Sequence, residues 1–280
     1  MDLTGEARLA GVMGWPIAHS RSPRLHGFWL ERHGIDGAYL PLGIAPEDLE
    51  AAFRLLPRIG FRGFNVTAPH KEQALALVDE VSPLARRIGA VNTVVHRPDG
   101  SLHGDNTDAY GFMASLRQQI PDWHAEAGPA VVLGAGGAAR AVIVALLDAG
   151  CPQVRLCNRT QTRAESLAAD LGNGVSVHPW SERDAILEGA ALLVNTTTQG
   201  MQGKAPLTLD LAALPRQAAV NDIVYIPLET PLLAMARARG HPVADGLGML
   251  LHQARPGFES WFGTAPEVDE ALRRHLLASM

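Results

Sequence analysis

The sequence predicts an α/β chain folded as two domains, the later one built on a doubly wound parallel sheet. Short apolar strands alternate with helical patterns along most of the chain. The 280 residues are enough for two modest domains. Near the middle, a glycine-rich turn at 134–137 separates a four-residue apolar strand from an alanine-rich helical run.

Composition narrows the class. At 47% apolar and 19% charged residues, the chain can build ordinary globular cores. The net charge is −5 and no Lys/Arg cluster exceeds a pair, which argues against nucleic acid or an anionic membrane as partner. No apolar run approaches the ~18 residues of a membrane span, and Arg140 interrupts the best candidate. Asp2 and Glu6 stand where a signal peptide would carry basic and then apolar residues. A cytoplasmic monomer or homodimer is expected, with Cys151 and Cys157 as free thiols.

In order, Ala7 to Met13 reads as a strand, turned by Gly14-Trp15-Pro16. Ser22 is expected as an N-cap with Pro23 at the first helical position, and that helix stops at Gly34. A strand at 38–42 and a helix at 46–56 repeat the alternation, and a third strand covers 63–67. Pro69 is expected to begin a helix carrying His70, Lys71 and Glu72. Residues 91–97 and 101–103 read as a hairpin around Pro98-Asp99-Gly100. A helix then opens at Asp108, a good N-cap residue. After the glycine turn, strands are expected at 154–157, 175–177, 191–195 and 219–224, with helices at 162–171 and 231–239 between them. The helical stretch from Gly246 to Phe262 is expected to return to the first domain. The expected division is 1–107 with 243–280, against 108–242.

Gly134, Gly136 and Ala139 fit G-x-G-x-x-G/A between a strand and a helix, the fingerprint of a Rossmann dinucleotide site. Gly134 permits the tight turn, and Gly136 lets backbone N–H groups approach a pyrophosphate, flanked by Ala135, Gly137 and Ala138. The following helix offers its positive end to the phosphates. An NAD site usually carries an acid at the end of the next strand, to hold the ribose 2′-OH. Here that strand ends in Asn158-Arg159-Thr160, with Arg163 a turn later. Guanidinium and hydroxyl groups suit a 2′-phosphate, so NADP is the expected cofactor.

Three polar residues in the first block stand out. Lys71 is expected in a first helical turn, where the dipole disfavours a cation. Asn92 falls in an apolar strand and needs partners. Asp108 beside a lysine would make a proton-transfer pair for a hydride reaction. Spacing alone does not bring Lys71 and Asp108 together, nor does it name a substrate. The eleven histidines contain no His-Glu-x-x-His pattern, and no metal is expected.

The motifs, taken together, resemble the shikimate dehydrogenase family. They are Gly11-Val-Met-Gly-Trp-Pro-Ile-Ala-His-Ser-Arg-Ser-Pro23 with His26, Asn65-Val-Thr-Ala-Pro-His-Lys71, Gly89-Ala-Val-Asn-Thr93 and Gly104-Asp-Asn-Thr-Asp108. Gly134 to Arg140, Asn158-Arg-Thr160 and Asp245-Gly-Leu-Gly-Met-Leu-Leu-His-Gln253 continue the series in order over nearly the whole chain. The resemblance implies NADP-dependent, reversible reduction of 3-dehydroshikimate to shikimate, on the way to aromatic amino acids. It also implies a cleft between an N-terminal α/β substrate domain and a Rossmann domain. Lys71 would be the acid/base, paired with Asp108. Ser20 and Ser22, with Tyr225, would bind the carboxylate. Thr67, Asn92, Asp108 and Gln253 would hold the ring hydroxyls, and Gly246 would join the cofactor residues. Ser22 then has two candidate jobs, cap and ligand, and the ligand role is favoured.

Gly27, Gln199 and Ala68 depart from the family pattern, which bears on substrate preference and cofactor position. The nearest alternative is a quinate/shikimate dehydrogenase with broader substrate or cofactor use. A non-catalytic NADP sensor would need neither Lys71 nor Asp108. A methylenetetrahydrofolate dehydrogenase would lack the Ser20-x-Ser22-Pro23 and Gly246 to Gln253 motifs.

Overall fold

A computed structural model describes residues 3–278; Asp2 lies outside the described residues. The chain divides into two units, one running to Thr107 and resuming at Gln253, the other spanning Asp108–His252.

The first unit alternates strand and helix: β1 (Arg8–Gly14), α1 (Ser22–Arg32), β2 (Gly37–Gly43), α2 (Leu49–Arg58) and β3 (Phe61–Val66). Then come β4 (Glu80–Val81), α3 (Pro83–Ile88), β5 (Thr93–His96) and β6 (Leu102–Asp105). The sheet order is β2-β1-β3-β5-β6-β4. β1 pairs in parallel with β2 and β3, whereas β5 and β6 form the expected antiparallel hairpin. Met13, Phe53, Phe64, Val66 and Val94 fill its core, each burial worth about 1.5–3 kcal/mol.

The second unit opens with α4 (Asp108–Gln119), then β7 (Ala130–Leu133), α5 (Gly137–Asp148), β8 (Val154–Cys157), α6 (Gln161–Leu171) and β9 (Val175–His178). It continues through β10 (Leu192–Asn195), β11 (Ala219–Asp222), α7 (Pro231–Ala238) and β12 (Val243–Ala244). α8 (Gly246–Phe262) starts in this unit, and α9 (Glu270–Leu277) belongs to the first. All pairings in the second sheet are parallel, in the order β12-β11-β10-β7-β8-β9. That is the doubly wound order, with its reversal between β7 and β10. β7 and β10 are buried at every residue, as a parallel sheet covered on both faces requires. Both cysteines are buried free thiols.

Several expectations change. Residues 243–252 stay with the second unit, because β12 pairs with β11 through Val220↔Val243 and Asn221↔Ala244. Ser22 is not the cap of α1. Arg21 already has a helical backbone and takes that place, and no side chain caps the helix. Pro69 starts no helix: residues 68–72 form a turn after the cis Ala68–Pro69 bond, and only a 3₁₀ segment follows at Gln73–Ala76. The backbone explains this, since the Lys71 carbonyl accepts from Val91 N–H (2.9 Å) rather than from a residue one turn on. The dipole argument for Lys71 therefore lapses. Asp108 is the first helical residue of α4 rather than a flanking cap.

Candidate active site

In the first unit, the candidate residues gather around the carboxyl ends of β1 and β3 and the start of β5. The Asn65 side chain, on β3, is the hub. Its Nδ2 donates to the Asn92 carbonyl (3.0 Å) and to Thr93 Oγ1 (3.1 Å), while its Oδ1 accepts from the Tyr39 hydroxyl (2.5 Å). Asn92 Oδ1 accepts from Thr107 N–H (2.8 Å) and from the Thr93 hydroxyl (2.9 Å). Asn92 precedes β5 rather than lying within it, and its partners answer the need that its burial creates. Burial holds the Tyr39 phenol well above the usual tyrosine range, against the opposing pull of its bond to the Ser22 side chain.

Lys71 enters this cluster through its backbone. Thr67 N–H donates to Met13 O at the end of β1 (2.9 Å), and His70 N–H closes the turn on Thr67 O (3.0 Å). The His70 ring meets Ile44 O (2.8 Å). The bond from Val91 then fixes Lys71 beside the segment that carries Asn92. Ser20 Oγ accepts from Ser22 N–H (3.3 Å), which ties the chain before α1 to the helix's first residue. With the cap role gone, the buried Ser22 hydroxyl is left with its bond to the Tyr39 phenol. Gln253 lies on α8, half-buried.

In the second unit, the glycine turn sits at the reversal point of the sheet, where open α/β sheets take ligands. Gly134 has φ +110, and a Cβ there would meet Thr196 Oγ1 at 2.5 Å, so only glycine fits the turn. Gly136 precedes α5 and is exposed. No atom lies within 4 Å of where its Cβ would stand, which leaves backbone N–H groups of the helix start open to an anion. Ala139 is fully buried, as close helix–sheet packing demands. After β8, Asn158 Nδ2 donates to Thr160 O (2.8 Å) and shapes the turn, leaving Arg159, Thr160 and Arg163 exposed. Thr160 flanks α6 without capping it. The residues present therefore fit a 2′-phosphorylated dinucleotide: an open helix N-terminus, two guanidiniums and a hydroxyl.

Asp108 is buried at the start of α4 in the second unit, whereas Lys71 belongs to the first. Tyr225 is half-buried in the loop after β11. At Gly246 a Cβ would meet Ile223 O at 2.2 Å, so this glycine permits the close approach of α8 to that same loop. The sequence reading missed Asn65, Tyr39, Thr93 and Thr107 as site-forming residues, and Asn195 and Asp222 in the second unit. A usable signal was present for three of them. Asn65, Asn195 and Asp222 are polar residues within or ending apolar strands, the feature that singled out Asn92. Among the described residues, no group of three or more His, Cys, Asp or Glu side chains could hold a metal ion.

Comparison with known proteins adds names to this geometry. Residues 12–94 match the shikimate dehydrogenase substrate-binding domain, and residues 115–223 match the shikimate/quinate 5-dehydrogenase family. The shikimate dehydrogenase (NADP(+)) of Paramagnetospirillum magneticum is 65% identical over 276 residues, 99% of this chain and 100% of the relative. Among solved structures, the shikimate 5-dehydrogenase of Thermus thermophilus, in complex with NADP(H) and shikimate, is similar at 40% identity. Its TM-score is 0.86, with 98% of this chain and 100% of that one covered. The quinate dehydrogenase of Corynebacterium glutamicum, in complex with NAD, is similar at 32% identity, TM-score 0.90, covering 97% and 99% of the two chains.

Proposed function

The chain belongs to the shikimate dehydrogenase family, and we infer from that membership that it catalyses the reversible, NADPH-dependent reduction of 3-dehydroshikimate to shikimate. One observation carries this: the similarity to an NADP-dependent shikimate dehydrogenase extends through both units, over 99% of the chain. The reaction feeds the route to aromatic amino acids. A cytoplasmic monomer or homodimer belongs to the same proposal; among the described residues, no helix is long and apolar enough to cross a membrane.

When bound, NADPH supplies the hydride. Everything else falls to the chain's own groups. Lys71, as an ammonium, stabilises the negative charge that develops on the ring ketone oxygen and donates the proton that completes the alcohol. Such general acid help is worth ~10²–10⁴ in rate. Asp108, the second catalytic residue of this reading, accepts from a ring hydroxyl. Ser20 and Ser22, with Tyr225, donate to the substrate carboxylate. Thr67, Asn92 and Gln253 hold the ring hydroxyls, and the buried bonds around Asn92 keep its amide from turning. Gly134, Ala135, Gly136, Gly137, Ala138 and Gly246 admit the dinucleotide, and Asn158, Arg159, Thr160 and Arg163 select its 2′-phosphate.

The test is direct. Purified protein is assayed with shikimate or quinate, and with NADP or NAD, by nicotinamide absorbance. Turnover of shikimate with NADP is expected, and its absence overturns the reading. The likeness to a quinate dehydrogenase makes quinate the second reading, and comparable kcat/KM for quinate would establish it.

A further inference from the structure

The carboxyl ends of β10 and β11 carry two fully buried polar side chains that the mechanism above leaves unused. Asp222 accepts three hydrogen bonds: from Val224 N–H (3.0 Å), from the Thr230 hydroxyl (2.7 Å) and from Asn195 Nδ2 (3.0 Å). Val224 and Thr230 bracket the loop that carries Tyr225. Asn195 performs the same service one strand over. Its Oδ1 accepts from Thr197 N–H (3.0 Å) and the Thr197 hydroxyl (2.8 Å), and its Nδ2 also donates to Gln199 O (3.2 Å).

One carboxylate thus closes the loop at 223–230, one amide closes the loop at 196–199, and a single hydrogen bond joins the two clamps. The second loop begins at Thr196, whose hydroxyl donates to Leu133 O (2.7 Å) beside the glycine turn. A carboxylate is a costly choice at such a position. Burial pushes Asp222 up to about 6 even with three donors on it, and an apolar residue would fill a sheet end more cheaply.

We propose that Asp222 and Asn195 are positioning residues for the reaction, one linked clamp that sets the Tyr225 loop and the Thr197–Gln199 segment together. On the reading of Tyr225 as a substrate ligand, loosening the clamp weakens shikimate binding through Tyr225 and through no other contact. Thr230 is the third member, anchoring the far end of the loop while its oxygen also caps α7 through Leu233 N–H.

Asp222→Ala, Asp222→Asn, Thr230→Ala and Tyr225→Phe are compared, singly and paired, by steady-state kinetics and by amide hydrogen exchange. Asp222→Ala is expected to raise the shikimate KM about tenfold, the loss of a charged hydrogen-bond acceptor. Tyr225→Phe, costly in the native background, then adds less than about twofold, because the two losses share one route. Asp222→Asn keeps an acceptor oxygen for Val224 and Asn195 and recovers most of the KM. Exchange quickens at 196–200 and 223–230 in Asp222→Ala. If Asp222→Ala does not fold, Thr230→Ala gives the same pattern in smaller measure. Losses that multiply in the double variants, or exchange unchanged in both segments, overturn the proposal. Wild-type protein that turns over no shikimate overturns the functional reading instead. The exchange measurement then decides the clamp by itself.

Discussion

The first unit offers candidate ligands that are side chains locked to one another, whereas the second offers mostly backbone. Tyr39, Asn65, Thr93, Asn92 and Thr107 form a continuous buried chain of hydrogen bonds. At the glycine turn the important property is the lack of side chains, and two exposed arginines stand on a separate turn. A buried network couples its members, so any change there spreads to its neighbours. In the proposed cofactor site a backbone cradle would separate its tasks: shape to one glycine, access to another and charge to the arginines. The first arrangement suits chemistry that needs one geometry, the second a cofactor held by modular contacts.

The largest expected effect lies in the first unit. Lys71→Ala should lower kcat by ~10²–10⁴ while changing the shikimate KM little, since a proton donor acts mainly in the transition state. Steady-state kinetics in both directions decide it. A preserved kcat would make Lys71 a binding residue and erase the division of labour between the units.

Next come the two glycines, which should part company. Gly134→Ala forces an L-residue into positive φ and a Cβ into Thr196, costing at least about 1–3 kcal/mol in stability. Gly136→Ala meets open space, so its melting temperature should stay near wild type while the NADP KM rises. Thermal melts with and without NADP separate the cases. Equal destabilisation by both would show that the turn is one rigid object.

A smaller effect is expected at the arginine turn. Arg159→Ala removes an exposed charge-assisted contact and should weaken NADP by about 10–100-fold while leaving NAD nearly unaffected. Equal losses for both cofactors would remove the 2′-phosphate argument.

How much of this was legible in the sequence follows the same contrast. Most strands and helices of the second unit were readable, because a parallel sheet announces itself in short apolar runs and its tight turn in glycines. The first unit's strands were also legible, as was its hairpin. What failed there was local: a helix at Pro69 and a cap at Ser22. Both were sound by propensity; the first was overruled by a long-range bond, from Val91 N–H to the Lys71 carbonyl, and the second by the helical backbone that Arg21 already adopts. The partners of Asn65 lie 26–28 residues away, beyond any window in which periodicity operates. β12 was missed as part of the second sheet because a two-residue edge strand has no pattern to read.

The last expected effect concerns acid, to which buried groups in the two units respond with opposite sign. His26 lies in the first unit's aromatic core, stacked on Tyr39 at 3.8 Å and near Trp29 and Phe258, with neither ring nitrogen hydrogen-bonded. Burial lowers it from 6.5 to about 3. Between those values the unfolded chain binds the proton and the folded one does not, so stability falls as pH falls, by up to about 1.4 kcal/mol per pH unit. Asp222 is raised from 3.8 to about 6. In that window the folded state binds the proton more tightly, so this group's contribution rises as pH falls and is lost as pH climbs through 6. Urea titrations from pH 4 to 7 should therefore show His26→Phe gaining on wild type toward acid, and Asp222→Asn losing ground to it. Parallel curves for His26→Phe and wild type would mean that the imidazole accepts a proton in the folded core, and the aromatic stack around it would have to open to let that happen.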